Sequence, residues 1–307
     1  MPIAVAVIGL GKIAHDQHLP AIAASDRFVL AATVDPAAEE TGSPPHFTNL
    51  ADLLASGCKV DAVVVCTPPR VRQKLAREAL KAGLHVMLEK PPCATVEEAE
   101  ELRDLAARGG VTLYTAWHSQ HAAGVAPARK WLAGRTIRSV AIDWREDVRV
   151  WHPGQKWIFE ECGFGVFDPA INALSILTAL VPGPLRVESA LLEVPANCAA
   201  PIAGRLAMTD TAATPIALEM DFLQTGPQTW DIRIETDAGT LLLQKGGSVL
   251  VTPEGIRTAS DGEYPSLYAR FAELIGSVES EVDLAPLELV ESALLQGERR
   301  EVAPFHE

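Results

Sequence analysis

A lysine and a glutamate stand together where a predicted strand ends. Residues 85–90 read His-Val-Met-Leu-Glu-Lys, and two prolines follow at once. Ligands of open parallel sheets bind at the carboxyl ends of the strands. We therefore expect Glu89 and Lys90 to face a bound molecule and Lys90 to have a functional role. The alternative is an ordinary surface lysine.

A glycine-rich turn after the first predicted strand is typical of a dinucleotide pyrophosphate site. It has the form G-x-G-x-x-A and consists of Gly9, Leu10, Gly11, Lys12, Ile13 and Ala14. Gly9 permits the tight turn, and Gly11 lets the backbone approach the pyrophosphate. Asp35 ends the next predicted strand, about 20 residues on, where a carboxylate binds ribose hydroxyls and repels a 2′-phosphate. The pattern predicts NAD as the cofactor, with NADP less favoured. In the alternative interpretation, Asp35 only starts an Asp-Pro turn.

A polar pair lies on an otherwise apolar predicted helix, residues 167–180. Asp168 can cap this helix, with Pro169 in its first turn. If the helix already contains Asp168, then Asn172 lies one turn on and both side chains share a face. Polar groups on such a face must be hydrogen-bonded or used. The pair is therefore either functional or an N-cap beside a buried amide.

Aromatic and polar residues suited to sugar binding recur in the middle of the chain. Flat rings can pack on sugar C–H groups, while carboxylates and imidazoles bind hydroxyls. Taken singly, each is more often a core tryptophan or an ordinary hydrogen-bonded histidine. The candidates are Trp117, His118, Glu146, Trp151, His152 and Trp230. No spacing of His, Cys or carboxylates indicates a metal site.

The elements that would position the first set of residues alternate between strand and helix. Through about residue 120, short apolar runs and amphipathic segments predict parallel strands with crossover helices, and hence a Rossmann domain over residues 1–119. Thr67 and Pro68 follow the third strand and would flank the cofactor or form a plain turn. Strands are expected over 3–8, 28–34, 62–66, 85–88 and 112–115, and helices over 71–82 and 95–108, the second with a Thr95–Glu98 capping box.

The pattern changes after Trp117. Short separators favour a meander of antiparallel strands in a large open sheet, and residues 120–307 are expected to form an α+β domain for substrate binding and oligomerisation. A C-terminal helix would be able to pack back on the first domain. We expect helices over 125–132, 167–180 and 264–278, and strands over 136–148, 187–194, 205–209, 216–222, 230–236 and 240–244.

Composition sets broad limits on function. A chain of 307 residues with 48% hydrophobic residues predicts two globular domains. The net charge of −14 argues against nucleic acid and anionic membranes as partners. No membrane span or signal peptide is evident, and five scattered cysteines are typical of reduced thiols. We expect a cytoplasmic protein.

Taken together, these residues resemble the glucose-fructose oxidoreductase and inositol dehydrogenase (Gfo/Idh/MocA) family from end to end. The resemblance is carried by residues 9–14, by Glu89-Lys90-Pro91 and by a glycine-rich turn that leads to Asp168. Within the family the chain is most similar to bacterial aldose 1-dehydrogenases, on residues 11–22, 151–155 and 165–175. Many members have a histidine four residues after the motif aspartate. Here that residue is Asn172, which excludes histidine acid–base catalysis from this helix.

The resemblance implies NAD(P)-dependent oxidation of an aldopyranose of D-galactose, L-arabinose or D-fucose type at C1, giving the sugar lactone. It implies that Lys90 and Asp168 carry the acid–base work, with the choice of base left open. Implied sugar ligands are Asn172, Glu146, Trp151, His152, Trp230 and His118. Implied cofactor contacts are Gly9, Gly11, Lys12, Ile13, Asp35, Thr67, Pro68, Glu89 and Lys90.

The resemblance further implies a homodimer or higher homo-oligomer assembled through the open sheet. Some arabinose-type relatives that use NADP have Ser-Arg where this chain has Asp35-Pro36, which again favours NAD. Two rival interpretations are a non-catalytic sugar- or nucleotide-sensing regulator of the same fold and an inositol-type dehydrogenase. The presence of Lys90, Asp168 and Asn172 together argues against the regulator.

Overall fold

A computed structural model describes residues 1–37, 42–259 and 262–306. They divide into two compact units. Unit 1 comprises Met1–Trp117 and Tyr264–Leu284, and unit 2 comprises His118–Glu263 and Ala285–Glu307. Unit 1 is thus made of two separate chain segments. A folding boundary at residue 119 stays a prediction.

The helices and strands alternate through the first third of the chain and become mostly strands later. The strands are β1 (Ile3–Ile8), β2 (Phe28–Val34), β3 (His46–Phe47), β4 (Ala62–Val65), β5 (His85–Glu89), β6 (Leu113–Ala116), β7 (Ile137–Arg145), β8 (Arg186–Pro195), β9 (Ala203–Thr209), β10 (Pro215–Asp221), β11 (Thr229–Thr236), β12 (Gly239–Gln244), β13 (Val249–Thr252), β14 (Gly255–Thr258) and β15 (Glu298–Val302). The helices are α1 (Leu19–Ala23), α2 (Leu50–Ala55), α3 (Pro69–Lys81), α4 (Val96–Gly109), α5 (Val125–Leu132), α6 (Val148–Trp151), α7 (Phe167–Leu180), α8 (Glu263–Ser277) and α9 (Ala285–Gln296).

Unit 1 contains a parallel sheet in the order β3-β2-β1-β4-β5-β6. The central strands β1 and β4 are almost wholly buried, as expected where helices cover both faces of a sheet. The strand order reverses between β1 and β4, which places the loops after these two strands beside one crevice. The predicted Rossmann fold is confirmed.

Helix α8 completes the core of unit 1, although it comes late in the chain. Phe271 stacks with Phe28 at 5.9 Å between ring centroids and with Tyr114 at 6.1 Å. Tyr268 meets Phe28 edge-on at 5.2 Å. The apolar face of α8 is therefore part of the same core as β1 and β4.

Unit 2 contains a large sheet in the order β14-β13-β12-β11-β7-β10-β9-β8-β15. Most pairs are antiparallel, which confirms the predicted open, mainly antiparallel sheet. The expected simple meander is wrong, because β7 lies between β10 and β11 and pairs with β10 in parallel. β15 also pairs with β8 in parallel. A strand from before α7 thus occupies the middle of the sheet.

One predicted strand is shorter than expected. Residues 136–148 were predicted as one strand, but β7 ends at Arg145, and Val148 begins α6. The Asp147 side chain accepts a hydrogen bond from the Arg149 backbone N–H at 3.0 Å and so caps that helix. This early turn positions residues 146–152 for the site below.

Candidate functional site

Two loops of unit 1 meet tightly beside the crevice of its sheet. Gly9 follows β1 with φ of +89°, a conformation that favours glycine. A Cβ on Gly9 would lie 2.9 Å from the backbone N of Thr67, which follows β4, whereas a Cβ on Gly11 would meet nothing within 4 Å. Gly9 therefore allows loop packing, and Gly11 leaves open space above the turn.

Asp35 ties the end of β2 to the glycine-rich turn. Its Oδ2 accepts a hydrogen bond from the Leu10 N–H at 2.7 Å, and its Oδ1 accepts from the Ala37 N–H at 2.7 Å. The second hydrogen bond closes a local Asp-Pro turn. The turn interpretation of Asp35 is therefore compatible with a role in ligand binding. Lys12 is exposed and forms an ion pair with Asp16 one turn on.

The residues of unit 1 fit a dinucleotide. The Thr67 Oγ1 is a buried side-chain oxygen without a hydrogen-bond partner in the described part of the chain. It lies beside Gly9, and Gly11 leaves room for a pyrophosphate against the backbone. Pro68 and the first turn of α3 continue from the same loop. An unsatisfied hydroxyl, an open turn and a strand-end carboxylate are the features such a ligand requires.

Glu89, at the end of β5, belongs to a buried polar cluster. Its Oε1 accepts hydrogen bonds from the Tyr264 hydroxyl at 2.7 Å and from His18 Nε2 at 3.1 Å. Its Oε2 accepts from the Lys90 N–H at 2.7 Å. Glu89 thus fixes the backbone that carries Lys90.

His18 is the imidazole of that cluster. Its side chain is fully buried, and its Nδ1 lies 3.0 Å from the Tyr268 hydroxyl. Burial opposes the charged form, but interactions with Cys66 and then Glu89 outweigh it and raise the pKa of His18 to about 10. Burial, with Cys66 and Glu89, also raises the pKa of Tyr268 well above its ordinary value.

Arg72 joins the loops after β4 and β5. This buried guanidinium, from α3, donates to the carbonyl oxygens of Glu89, Pro91 and Thr67. One cation thereby holds both loops that carry predicted cofactor contacts. Sequence analysis missed Arg72, although it lies at helical spacing between the buried residues Pro69 and Ala76.

Unit 2 brings four predicted residues into one polar group, three of them joined by hydrogen bonds. Glu146 follows β7 and is buried; its Oε2 accepts from the Trp230 Nε1–H at 2.8 Å, and its Oε1 lies 3.0 Å from His152 Nε2. His152 Nδ1 lies 3.7 Å from Asp168 Oδ2. Two carboxylates, an imidazole and an indole thus converge from four segments of the chain.

Helix α7 begins before Asp168, so the side chain is inside its first turn and does not cap it. Gly165, with φ of +52°, packs against the Pro201 backbone just before the helix and fixes where it starts. Asp168 is 4% exposed, and Asn172 lies one turn on and is half-buried. The shared helix face predicted for these two residues is confirmed by the register of α7.

Three tryptophan rings pack against one another next to this group. Trp144 and Trp230 stack at 6.0 Å between ring centroids with 21° between planes, and Trp151 packs on Trp230 at 4.7 Å. Trp151 is 38% exposed, so part of its apolar surface faces outward. The buried Trp144 Nε1 has no hydrogen-bond partner within the described ranges. Trp151 and Trp230, tilted at 58° to each other, offer apolar ring surface beside the carboxylates.

His118 contacts a carboxylate of unit 2, and its predicted role in sugar binding stays a prediction. Its Nδ1 pairs with Glu263, a residue that sequence analysis did not single out.

No three His, Cys, Asp or Glu side chains are grouped as metal ligands in the part of the chain that the structure describes. Over those same residues, none of the helices has the length and apolar character to cross a bilayer.

Comparison with known proteins agrees with this architecture. Residues 3–117 match the family described as "Oxidoreductase family, NAD-binding Rossmann fold" (GFO_IDH_MocA). A Pseudomonas fluorescens protein named galactose 1-dehydrogenase is 45% identical over 100% of this chain and 99% of its own. The crystal structure of a D-galactose-1-dehydrogenase from Rhizobium etli has a TM-score of 0.94 and 46% identity, covering 99% of this chain and 98% of that one. A 3-ketoreductase from Actinomadura kijaniata, 19% identical, shares the fold with a TM-score of 0.83 over 98% and 100% of the two chains.

Proposed function

The chain belongs to the Gfo/Idh/MocA family of NAD-binding oxidoreductases, and on this premise we propose that it oxidises a galactose-configured aldopyranose at C1 to the lactone. The observation that carries the proposal is the full-length similarity to the two galactose 1-dehydrogenases. D-Galactose, L-arabinose and D-fucose share the configuration that such a site would recognise. Bound NAD would supply the hydride acceptor.

Asp168 is the proton acceptor in our proposal. It is a buried carboxylate in the first turn of a helix, where the N-terminal end of the dipole stabilises negative charge. A carboxylate in this position can take the proton of the C1 hydroxyl as hydride leaves C1. Lys90 donates a hydrogen bond to the same oxygen and orients it; Lys90 as the base is the competing assignment.

The sugar would be held by the remaining polar and aromatic residues of unit 2. The exposed face of Trp151 and the neighbouring Trp230 suit the apolar C–H face of a pyranose. Asn172 and the imidazole of His118 would bind hydroxyls. Discrimination among aldoses depends on these contacts, since removal of one matched hydroxyl leaves a polar group unpaired.

The preference for NAD over NADP is part of the proposal. Asp35 follows β2, and its Oδ2 accepts a hydrogen bond from the Leu10 N–H of the glycine-rich turn. Its charge would repel a 2′-phosphate and accept hydrogen bonds from the ribose diol. Lys12, Ile13, Thr67, Pro68 and Glu89 are proposed to complete the cofactor site.

Two further proposals concern assembly and location. We propose a homodimer or higher homo-oligomer through the outer face of the unit 2 sheet, and a cytoplasmic location. The outer face carries charged pairs such as Arg145–Glu219, which a second copy could complement. Light scattering after size exclusion tests the assembly: a monomer at micromolar concentration would remove it.

The deciding experiment is a substrate panel followed by NADH absorbance. Purified protein is mixed with NAD or NADP and with D-galactose, L-arabinose, D-fucose, D-glucose, D-xylose or myo-inositol. Rapid reduction of NAD with the first three sugars is the expected result. NADH formation with myo-inositol alone would indicate an inositol-type dehydrogenase. If no compound gives NADH while NAD still binds, a sensing protein is favoured.

A further inference from the structure

His152 lies between the two buried carboxylates of unit 2. Its Nε2 is 3.0 Å from Glu146 Oε1, and its Nδ1 is 3.7 Å from Asp168 Oδ2. The side chains of Glu146 and Asp168 are 2% and 5% exposed, whereas the imidazole is 16% exposed. Of these three titratable groups, the imidazole has the most contact with solvent.

The hydrogen bonds of Glu146 determine which nitrogen of His152 carries the proton. An indole N–H only donates, and that of Trp230 reaches Glu146 Oε2 at 2.8 Å. Glu146 therefore acts as an acceptor, and a neutral His152 satisfies it by donating from Nε2. Nδ1 then keeps its lone pair, and that lone pair is directed toward Asp168.

The separation between His152 and Asp168 agrees with this arrangement. At 3.7 Å the two atoms are beyond hydrogen-bond distance, as expected for an ionised carboxylate that faces an imidazole lone pair. Once Asp168 gains a proton, its hydroxyl becomes a donor and Nδ1 is the matching acceptor. A proton taken up by Asp168 therefore has an acceptor nearby, once the 3.7 Å gap between the two atoms closes.

We propose that His152 relays the proton that Asp168 takes from the sugar, and that Glu146 positions the imidazole for this transfer. The inference rests on the proposed function and assigns His152 a role other than sugar binding. Because His152 acts through Asp168, it is a positioning and relay residue. Its ring edge packs on Phe222 at 5.6 Å between centroids, which limits its rotation.

The proton passes from the sugar to solvent in three steps. The O–H bond of the C1 hydroxyl breaks and an O–H bond forms on Asp168, while the C1–H bond breaks, C1=O forms and bound NAD would accept the hydride. The Asp168 O–H bond then breaks as an N–H bond forms on His152 Nδ1, which restores the carboxylate. The imidazolium finally loses the Nδ1 proton to water or a buffer base, which restores the neutral ring.

Steady-state kinetics of His152→Gln and His152→Ala separate a relay from a sugar contact. Glutamine can still donate to Glu146 but cannot accept and release a proton. We expect kcat to fall by about 10- to 100-fold, with little change in the sugar KM. Added imidazole, at constant pH and ionic strength, is expected to raise the kcat of His152→Ala. His306→Gln, at an exposed histidine, is the matched control and should behave as wild type.

Each alternative gives a distinct result. A higher sugar KM with unchanged kcat would overturn the relay, leave the proposed function intact and make His152 a sugar ligand. A lower kcat that imidazole does not restore would also overturn it, since a structural role responds in this way. If the wild-type protein oxidises no sugar in the panel, the proposed function fails first and the relay fails with it. Should His152→Ala not fold by circular dichroism, the kcat and KM of His152→Gln decide.

Discussion

Replacing His18 with glutamine tests whether the buried imidazole of unit 1 is charged at neutral pH. The side chains of His18 and Glu89 are 0% and 2% exposed, and their polar atoms are 3.1 Å apart. With a pKa of about 10 in the folded state and about 6.5 when unfolded, the folded chain holds one more proton between these values. Stability from this group is therefore complete below about pH 6.5 and is lost as pH rises toward 10.

The expected size of the pH effect on stability follows from the one extra proton that the folded chain holds. A difference of one bound proton changes the free energy of unfolding by about 1.36 kcal/mol per pH unit. Between pH 7 and pH 9 the contribution of His18 should therefore fall by roughly 2–3 kcal/mol. Such a loss is a sizeable part of the total stability of a domain.

Urea unfolding at pH 7, 8 and 9, followed by circular dichroism, measures this contribution. Other groups titrate over the same range, so the useful quantity is the difference in unfolding free energy between wild type and His18→Gln. We expect that difference to shrink by about 1.4 kcal/mol per pH unit. His306→Gln alters an exposed histidine and should stay parallel to wild type at every pH.

A constant difference from pH 7 to pH 9 would refute a charged His18. The same atoms can be satisfied by a neutral ring, with Nε2–H donated to Glu89 and the Tyr268 hydroxyl donated to Nδ1. That arrangement contributes hydrogen bonds but no proton difference. The pH dependence therefore distinguishes two networks that have identical heavy-atom positions.

Five further substitutions test other parts of the molecule. Asp35→Ala should narrow the ratio of kcat/KM for NAD over NADP, and an unchanged ratio would make Asp35 a turn residue only. Asp168→Asn and Lys90→Ala should each lower kcat by at least about 100-fold while NAD binding, measured by calorimetry, persists; near-wild-type turnover would reject the assigned role. Gly9→Ala should lower the unfolding free energy by about 1–3 kcal/mol, because it combines a positive φ with a steric clash; a wild-type melting temperature would contradict this. Phe271→Ala should cost about 3–5 kcal/mol in urea unfolding, as expected for a fully buried ring, and a loss below about 1 kcal/mol would contradict its place in the core.

Several elements of both units could be predicted from sequence because their signals are local. β1, β2 and α7 have the predicted bounds, and Thr95 accepts the predicted hydrogen bond from the Glu98 N–H. Apolar runs of strand length and a capping residue are properties of a few neighbouring residues. Elements of this kind need no tertiary information.

Long-range contacts account for what the sequence did not predict. The place of β7 between β10 and β11 depends on pairing between distant strands, and no local pattern encodes that choice. β3 has only two residues and was not expected. Arg72 lies on the buried face of α3, and His18 lies in the turn just before α1. At such buried positions a charged residue is informative only once its partners are known.

The two-segment composition of unit 1 has a consequence for synthesis on the ribosome. Chains emerge from the amino terminus, and domains generally fold as they appear. When Trp117 has emerged, Phe28 and Tyr114 still lack their contacts with Tyr268 and Phe271, which are made about 150 residues later. The aromatic face of the nascent sheet therefore stays uncovered by α8 while β7 to β14 are translated. A fragment that ends near residue 119 would keep that face exposed permanently, so it should aggregate or bind chaperones rather than behave as a free-standing cofactor domain.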